Sequence, residues 1–409
     1  MNKLLTLGAV SALGLASTSF AAPSQDEMWK IIQQQQAEIE RLQKGQQETE
    51  KAVEESDKKI EATADAIESN GGGIPKSLEW ATKTTIGGYG EHHYNSIDGG
   101  DNKVDAHRFV LYIGHEFNDS VRFFSEFELE HGLSGDGKPG EVELEQAYIE
   151  WDYAKNHSLV SGQFLVPVGI LNDTHEPDTF YGVERNLVEK NIIPTTWWET
   201  GVMFKGEIAP GLSYDFALHS GLSGRSVDAD TDAASLNIRG GRQKSAKATA
   251  NSLAYTGRLK YTAVPGLELA ATVQRQQDIT QGDNEEAGDD AASATLIEAH
   301  VNYTVDIFSV RALYAQWDVD SALAESLGND EQVGWYVEPS IKATDNLGFF
   351  VRYSSWNNSA GLAGSNDNEV IDYGVNFWLT PTVVFKADYQ DASDYNDKDS
   401  VNVGLGWSF

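Results

Sequence analysis

The charged residues of the segment 168–197 are the first whose types and spacing could do chemistry. Arg185 and Lys190 are each directly preceded by a carboxylate, Glu184 and Glu189. A fixed guanidinium or ammonium can replace part of an anion's hydration shell, so these four residues are candidates for sorting ions at a narrow place. The competing reading pairs both cations with Glu184 and Glu189 as bridges inside the segment. Other combinations offer less. His92 and His93 suggest a metal, but adjacent residues on a strand point to opposite faces and cannot chelate from one side. Ser220 next to His219, and Ser309, have no partners at a spacing informative for nucleophilic catalysis. No glycine-rich phosphate loop and no zinc motif occurs. The sequence therefore nominates no catalytic residue, no metal ligand and no cofactor.

Strands must position this segment. The carboxyl-terminal stretch Val401 to Phe409 alternates, with Val401, Val403, Leu405, Trp407 and Phe409 on one face and Asn402, Gly404, Gly406 and Ser408 on the other. Alternating runs recur from residue 84 onward, and they predict an all-β fold, an antiparallel transmembrane β-barrel of about 16 strands. The predicted spans are 84–95, 106–117, 120–132, 143–154, 157–167, 198–208, 211–221, 250–262, 266–277, 295–306, 307–318, 332–343, 346–357, 368–380, 381–391 and 399–409. Connections alternate between tight turns, such as Asn118-Asp119 and Lys155-Asn156, and longer loops. That alternation belongs to outer-membrane barrels, whose periplasmic turns are short. An aromatic terminus suits the last strand of such a barrel, with Leu405, Trp407 and Phe409 as the signal offered to the assembly machinery.

If apolar faces meet lipid, the charges opposite them face water in the lumen, because a charge at mid-bilayer costs about 2–4 kcal/mol. The lumen candidates are Arg108, Arg122, Lys205, Arg258, Lys260, Arg311, Lys342, Arg352 and Lys386, set against Glu126, Glu128, Glu130 and other acids. A barrel of about this size leaves an aqueous channel. The third long loop, 168–197, carries the aromatics and prolines needed to fold against a wall, whereas 222–249 and 278–294, rich in Asp, Ala and Ser, read as mobile exterior.

The amino-terminal part differs. Lys3, an apolar run from Leu4 to Ala16 and Ser19-Phe20-Ala21 make residues 1–21 a secretory signal peptide. Residues 22–69 carry heptads with Ile32, Ile39, Gln46, Val53, Ile60 and Ile67 at one repeat position, predicting an α-helical coiled coil. Residues 70–83 form a Gly- and Pro-containing linker to the barrel at 84–409. An even strand count places both barrel ends, and so the arm, on the periplasmic side. The formal charge of -33 excludes a nucleic-acid partner, since phosphates would be repelled.

Gln163-Phe164-Leu165-Val166-Pro167-Val168-Gly169, the loop that follows, Trp198-Glu199-Thr200-Gly201-Val202 and the strand Gly87-Gly88-Tyr89-Gly90 together resemble the phosphate-selective porin O and P family and its dicarboxylate-type relatives. The resemblance implies a homotrimer of barrels in outer-membrane lipid and lipopolysaccharide, with the third loop folded inward to narrow each pore. It implies passive diffusion of small hydrophilic solutes, anions among them. The mixed lumen lacks an arginine ladder, so phosphate selectivity is not carried over. The alternative is a structural or adhesive barrel, tethered through its coiled coil and binding partners or cations by acidic loops. An enzyme is not expected.

Overall fold

The computed structural model describes residue 58 and residues 79–227, 234–282, 291–392, 395 and 398–409. The chain divides into two units, Met1–Glu79 and Trp80–Phe409, and the second is the subject below. The expected signal peptide and, but for Lys58, the expected coiled coil lie outside the described residues, as does the first part of the linker.

In chain order the first barrel strands are β1 (Thr84–Ile97), β2 (Lys103–Asn118), β3 (Val121–Glu130), β4 (Val142–Ala154), β5 (His157–Leu165), β6 (Trp198–Ala209) and β7 (Leu212–His219). A short hairpin, β8 (Arg225–Val227) and β9 (Ala234–Leu236), interrupts them. The barrel resumes with β10 (Ala254–Tyr261), β11 (Leu267–Gln276), β12 (Ser293–Val305), β13 (Phe308–Asp320), β14 (Glu331–Thr344) and β15 (Leu347–Asn357). It ends with β16 (Asn368–Thr380), β17 (Val383–Asp391) and β18 (Ser400–Ser408). Sixteen of these strands form one closed antiparallel barrel, in which β7 pairs directly with β10 and β18 pairs with β1. Closure runs from Tyr89 opposite Ser408 to Ile97 opposite Ser400. Strand count and closure agree with the sequence reading, and the boundaries move by a few residues only.

The burial pattern is that of a membrane barrel. Along β18, Val401 and Val403 are 48% and 44% exposed while Asn402 between them is 2% exposed. The same inversion holds on β3, where Phe127 faces out and Glu126 and Glu128 are buried. An apolar outside and a polar inside is stable only if the outside meets lipid. His92 and His93 separate as expected: His92 faces outward against Trp407, with ring centroids 5.4 Å apart, and His93 is buried. Tight turns gather at one barrel end. Asn156 and Asp306 adopt positive φ there, as do Gly211 and Gly266, whose missing β-carbons make that conformation easy.

The interior also holds an apolar core. Val166, Val168, Ile170, Val188, Ile192, Ile193 and Trp197 of the third long loop pack against Leu296, Leu313, Trp317, Tyr336 and Trp356 of the wall. The loops 222–249 and 278–294 depart from the expected mobile exterior. Their described residues Leu222, Leu236, Ile238, Ile279 and Ala292 join the same core. Few apolar residues, well spaced, suffice to fix a loop when a preformed apolar surface receives them.

Candidate functional site

The third long loop is seated by its own polar groups before it meets the wall. Asn172 donates to Val166 O (2.7 Å) and Trp197 O (2.9 Å) and accepts from Trp197 N (2.7 Å), joining the loop's two feet. Asn186 caps the short helix α1 (Leu187–Asn191) by accepting from Val188 N (2.8 Å) and Glu189 N (3.2 Å). Glu189 is fully buried. It accepts from Ile170 N (2.9 Å), Leu171 N (2.6 Å) and Tyr336 OH (2.8 Å). Burial pushes its carboxyl up, against the bonds from Tyr336 and Leu171 that favour the ionised form.

Inward side chains from around the barrel then hold the loop. Arg108 Nη2 donates to His175 O (2.5 Å), Arg311 to Thr179 O (2.8 Å), Asn376 to Phe180 O (3.1 Å) and Arg352 to Tyr181 O (3.3 Å). Asp388 accepts from Val183 N (2.6 Å), and Ser408 donates to Asp178 (2.8 Å). Close packing completes the seat: a β-carbon at Gly406 would lie 2.4 Å from Pro177 Cβ, and one at Gly348 would lie 2.3 Å from Tyr181 OH. The glycines on the inner face of these strands leave room for the loop.

Most lumen candidates are consumed in this framework. Arg108 pairs with Glu91 (2.5 Å), Arg122 with Glu150 (2.6 Å) and Asp152 (2.8 Å), and Lys205 with Glu150 (2.9 Å). Arg258 binds Asp215 (2.8 Å) and Asp173 (2.5 Å), and Lys260 lies 3.4 Å from Asp173 and 3.5 Å from Glu268. Arg352 bridges Glu338 (3.0 Å) and Asp372 (2.9 Å). Lys386 is buried with Nζ 3.6 Å from the Phe180 ring centroid. Glu126 accepts from Tyr89 OH (3.2 Å) and Gln146 (2.7 Å), while Glu128 is buried beside it. Paired charges of this kind brace a wall and offer little field to a passing ion.

His175 adds a charge of its own. Its Nε2 lies 3.3 Å from Glu145 and 3.6 Å from Glu126, deep in the lumen. Burial opposes protonation, but the two carboxylates override it and hold the imidazole at about 9. A raised pKa stabilises the folded state fully below the ordinary histidine value and loses that contribution as pH rises through about 9. The loop is therefore expected to loosen at alkaline pH, seen as faster proteolysis of 168–197 at pH above that value in wild type. A His175→Gln variant is expected to show a smaller step, since His93 also holds the loop through Glu184.

A different set of charges stays open. A cavity of about 610 Å³ toward the long-loop end is lined by Arg185, Lys190 and Arg239 together with Asp105, His107, Glu130, His131 and Glu184. The bridges of the competing reading, Arg185 to Glu184 and Lys190 to Glu189, are not formed among the described residues. Glu184 accepts instead from Asn95 (3.0 Å) and lies 3.1 Å from His93 Nδ1; burial works against its ionisation, yet His93 and Asn95 hold it down at about 2. Glu189, expected beside the open cations, lies behind the loop as its anchor. Arg185 donates to Thr196 Oγ1, and among the described residues neither it nor Lys190 has a carboxylate partner. Arg239 and Arg242, which the sequence reading missed, reach across from the loop 222–249. Arg242 donates to Pro194 O (3.1 Å) and Thr196 O (2.5 Å), and Arg239 to Lys190 O and to Thr195 O (3.4 Å). Burial, then Arg242 and Arg185, lower Arg239 to about 10; burial also lowers Lys190, with Glu184 pulling it up and Arg239, Arg185 and Arg242 pushing it down. These cations lie near enough to repel one another, so they gather positive charge on the loop side of a cavity that also holds carboxylates.

A wide closed barrel with an apolar exterior, a charged interior and a loop lodged within it is the architecture of an outer-membrane channel. The chain belongs to the family described as phosphate-selective porin O and P, which it matches over residues 89–404. An uncharacterized protein of Aquifex aeolicus (strain VF5) is 29% identical over 358 residues, 80% of each chain. Among solved structures, the outer membrane channel DcaP of Acinetobacter baumannii is similar at 15% identity and a TM-score of 0.56, covering 80% of this chain and 97% of that one. The anion-selective porin from Comamonas acidovorans is similar at 10% identity and a TM-score of 0.55, covering 80% of this chain and 99% of that one. Both share the fold.

Proposed function

We propose that the protein passes small hydrophilic solutes, anions in preference, by diffusion through a channel whose narrowest part is formed by the loop 168–197. The observation that carries this reading is the convergence of Arg185, Lys190 and Arg239 on one cavity without carboxylate partners among the described residues. Unpaired cations on a fixed loop can exchange with an anion's water at no cost of breaking a bridge. Many acids of the wall are held in ion pairs, and Glu184 is held by His93 and Asn95, so the -33 formal charge as a whole does not set the sign at this place. Phosphate is not proposed as the particular solute.

The test is the reversal potential of the purified protein in a planar bilayer under a salt gradient. Wild type is expected to prefer anions, and Arg185→Ala with Lys190→Ala to lose several-fold of that preference at similar conductance. Cation preference in wild type, unmoved by the two substitutions, would overturn the reading. The barrel is further read as one third of a homotrimer with the arm 22–69 in the periplasm. Crosslinking after gentle extraction that yields only monomer would contradict the trimer.

A further inference from the structure

We propose that Asp105, His107 and His131 form a binding site for a transition-metal dication, Zn²⁺ in chemical type, on the wall of the cavity at the channel mouth. Asp105 and His107 stand two apart on β2 and so share a face, and His131 follows directly on β3. The register that sets Arg108 opposite Glu130 brings His107 beside His131, and His131 N donates to His107 O at 2.9 Å.

Both imidazoles converge on one oxygen. Asp105 Oδ2 lies 3.2 Å from His107 Nδ1 and 2.7 Å from His131 Nδ1. One donor atom from each residue falls within 4.8 Å of the others. Ligands of a tetrahedral zinc sit roughly 3.3 Å apart, so this set needs little movement to close on an ion. His131 has a φ of +52°, uncommon for a residue with a β-carbon, and in that conformation its ring meets Asp105. His93 stacks on His107 with centroids 4.3 Å apart and an interplanar angle of 16°, and is itself held by Glu91 and Glu184. Such outer partners fix the plane of a ligating imidazole.

All three donors are half-buried and line the cavity, so an ion can enter from water. Two imidazole nitrogens and one carboxylate suit zinc and its neighbours, whereas Mg²⁺ and Ca²⁺ take all-oxygen sets. A bound dication would add positive charge to the cavity that Arg185 and Lys190 also line and repel cations there.

The test is Zn²⁺ binding to the purified full-length protein, carrying no histidine tag, by calorimetry in detergent and by metal content after gel filtration. One ion per chain is expected, lost in His107→Gln and in His131→Gln and retained in His92→Gln, whose ring faces outward. Heat-modifiable mobility on gels reports that each barrel is folded, and Asp105→Asn stands in for any histidine variant that is not. In bilayers, Zn²⁺ should shift the wild-type reversal potential toward anions and leave the histidine variants unmoved. No uptake by wild type, uptake that survives both histidine substitutions, or equal displacement by Mg²⁺ would overturn the proposal. The last two would assign the ion to the neighbouring carboxylates Glu130, Glu141 and Glu143. Binding is read without transport, so its failure is distinct from failure of the anion-channel reading.

Discussion

Arg352→Ala is expected to weaken the barrel by about 3–5 kcal/mol, the usual cost of removing one partner from a buried ion pair. The substitution strands Glu338 and Asp372, which meet the guanidinium at 3.0 Å and 2.9 Å, in a lumen wall where all three groups are buried. It also frees Tyr181 O, one of the loop's points of attachment. Arg352→Lys should rescue little, because an ammonium cannot present a planar fork to two carboxylates at once. Adding Glu338→Gln and Asp372→Asn to Arg352→Met should recover much of the loss, since the uncompensated charge is what destabilises. Urea titration of the folded form, read by its heat-modifiable gel mobility, measures each step. An unchanged midpoint for Arg352→Ala would show that water reaches this wall freely.

Glu189→Ala should act on the channel more than on the barrel. The side chain ties the two halves of the loop together by accepting from Ile170 N and Leu171 N while α1 rests on the wall through Tyr336. Its removal leaves those donors buried and unbonded, at about 1–3 kcal/mol each. The loop can escape that cost by lifting into the lumen water or out of the mouth, and single-channel conductance should rise with added noise. Glu189→Gln keeps an acceptor and should lie close to wild type. Equal conductance in all three proteins would mean that the loop does not limit the pore.

The barrel was readable because each strand carries its own alternation, which depends on nothing distant. Val401 to Phe409 shows both lipid and lumen faces without any partner in view, and the tight turns repeat at one end. The site was readable only in part. Arg185 and Lys190 stood out through their residue types, but their freedom from Glu184 and Glu189 depends on His93, Asn95 and Tyr336, far away in the chain. Arg239 and Arg242 were hidden by the composition of 222–249. The alternation of Leu236 and Ile238 just before Arg239-Gly240-Gly241-Arg242 was the available signal that this loop folds inward. The histidines of the mouth were hidden for another reason: His107 and His131 become neighbours only through the β2–β3 register.

The last two barrel strands join the loop to the barrel seam. Asp388 on β17 and Ser408 on β18 hold Val183 and Asp178, and Pro177 and Val183 press on the inner face of β18 at Gly406 and Gly404. The seam with β1 is made by that same β18. Sealing the wall and holding the loop therefore draw on the same strand.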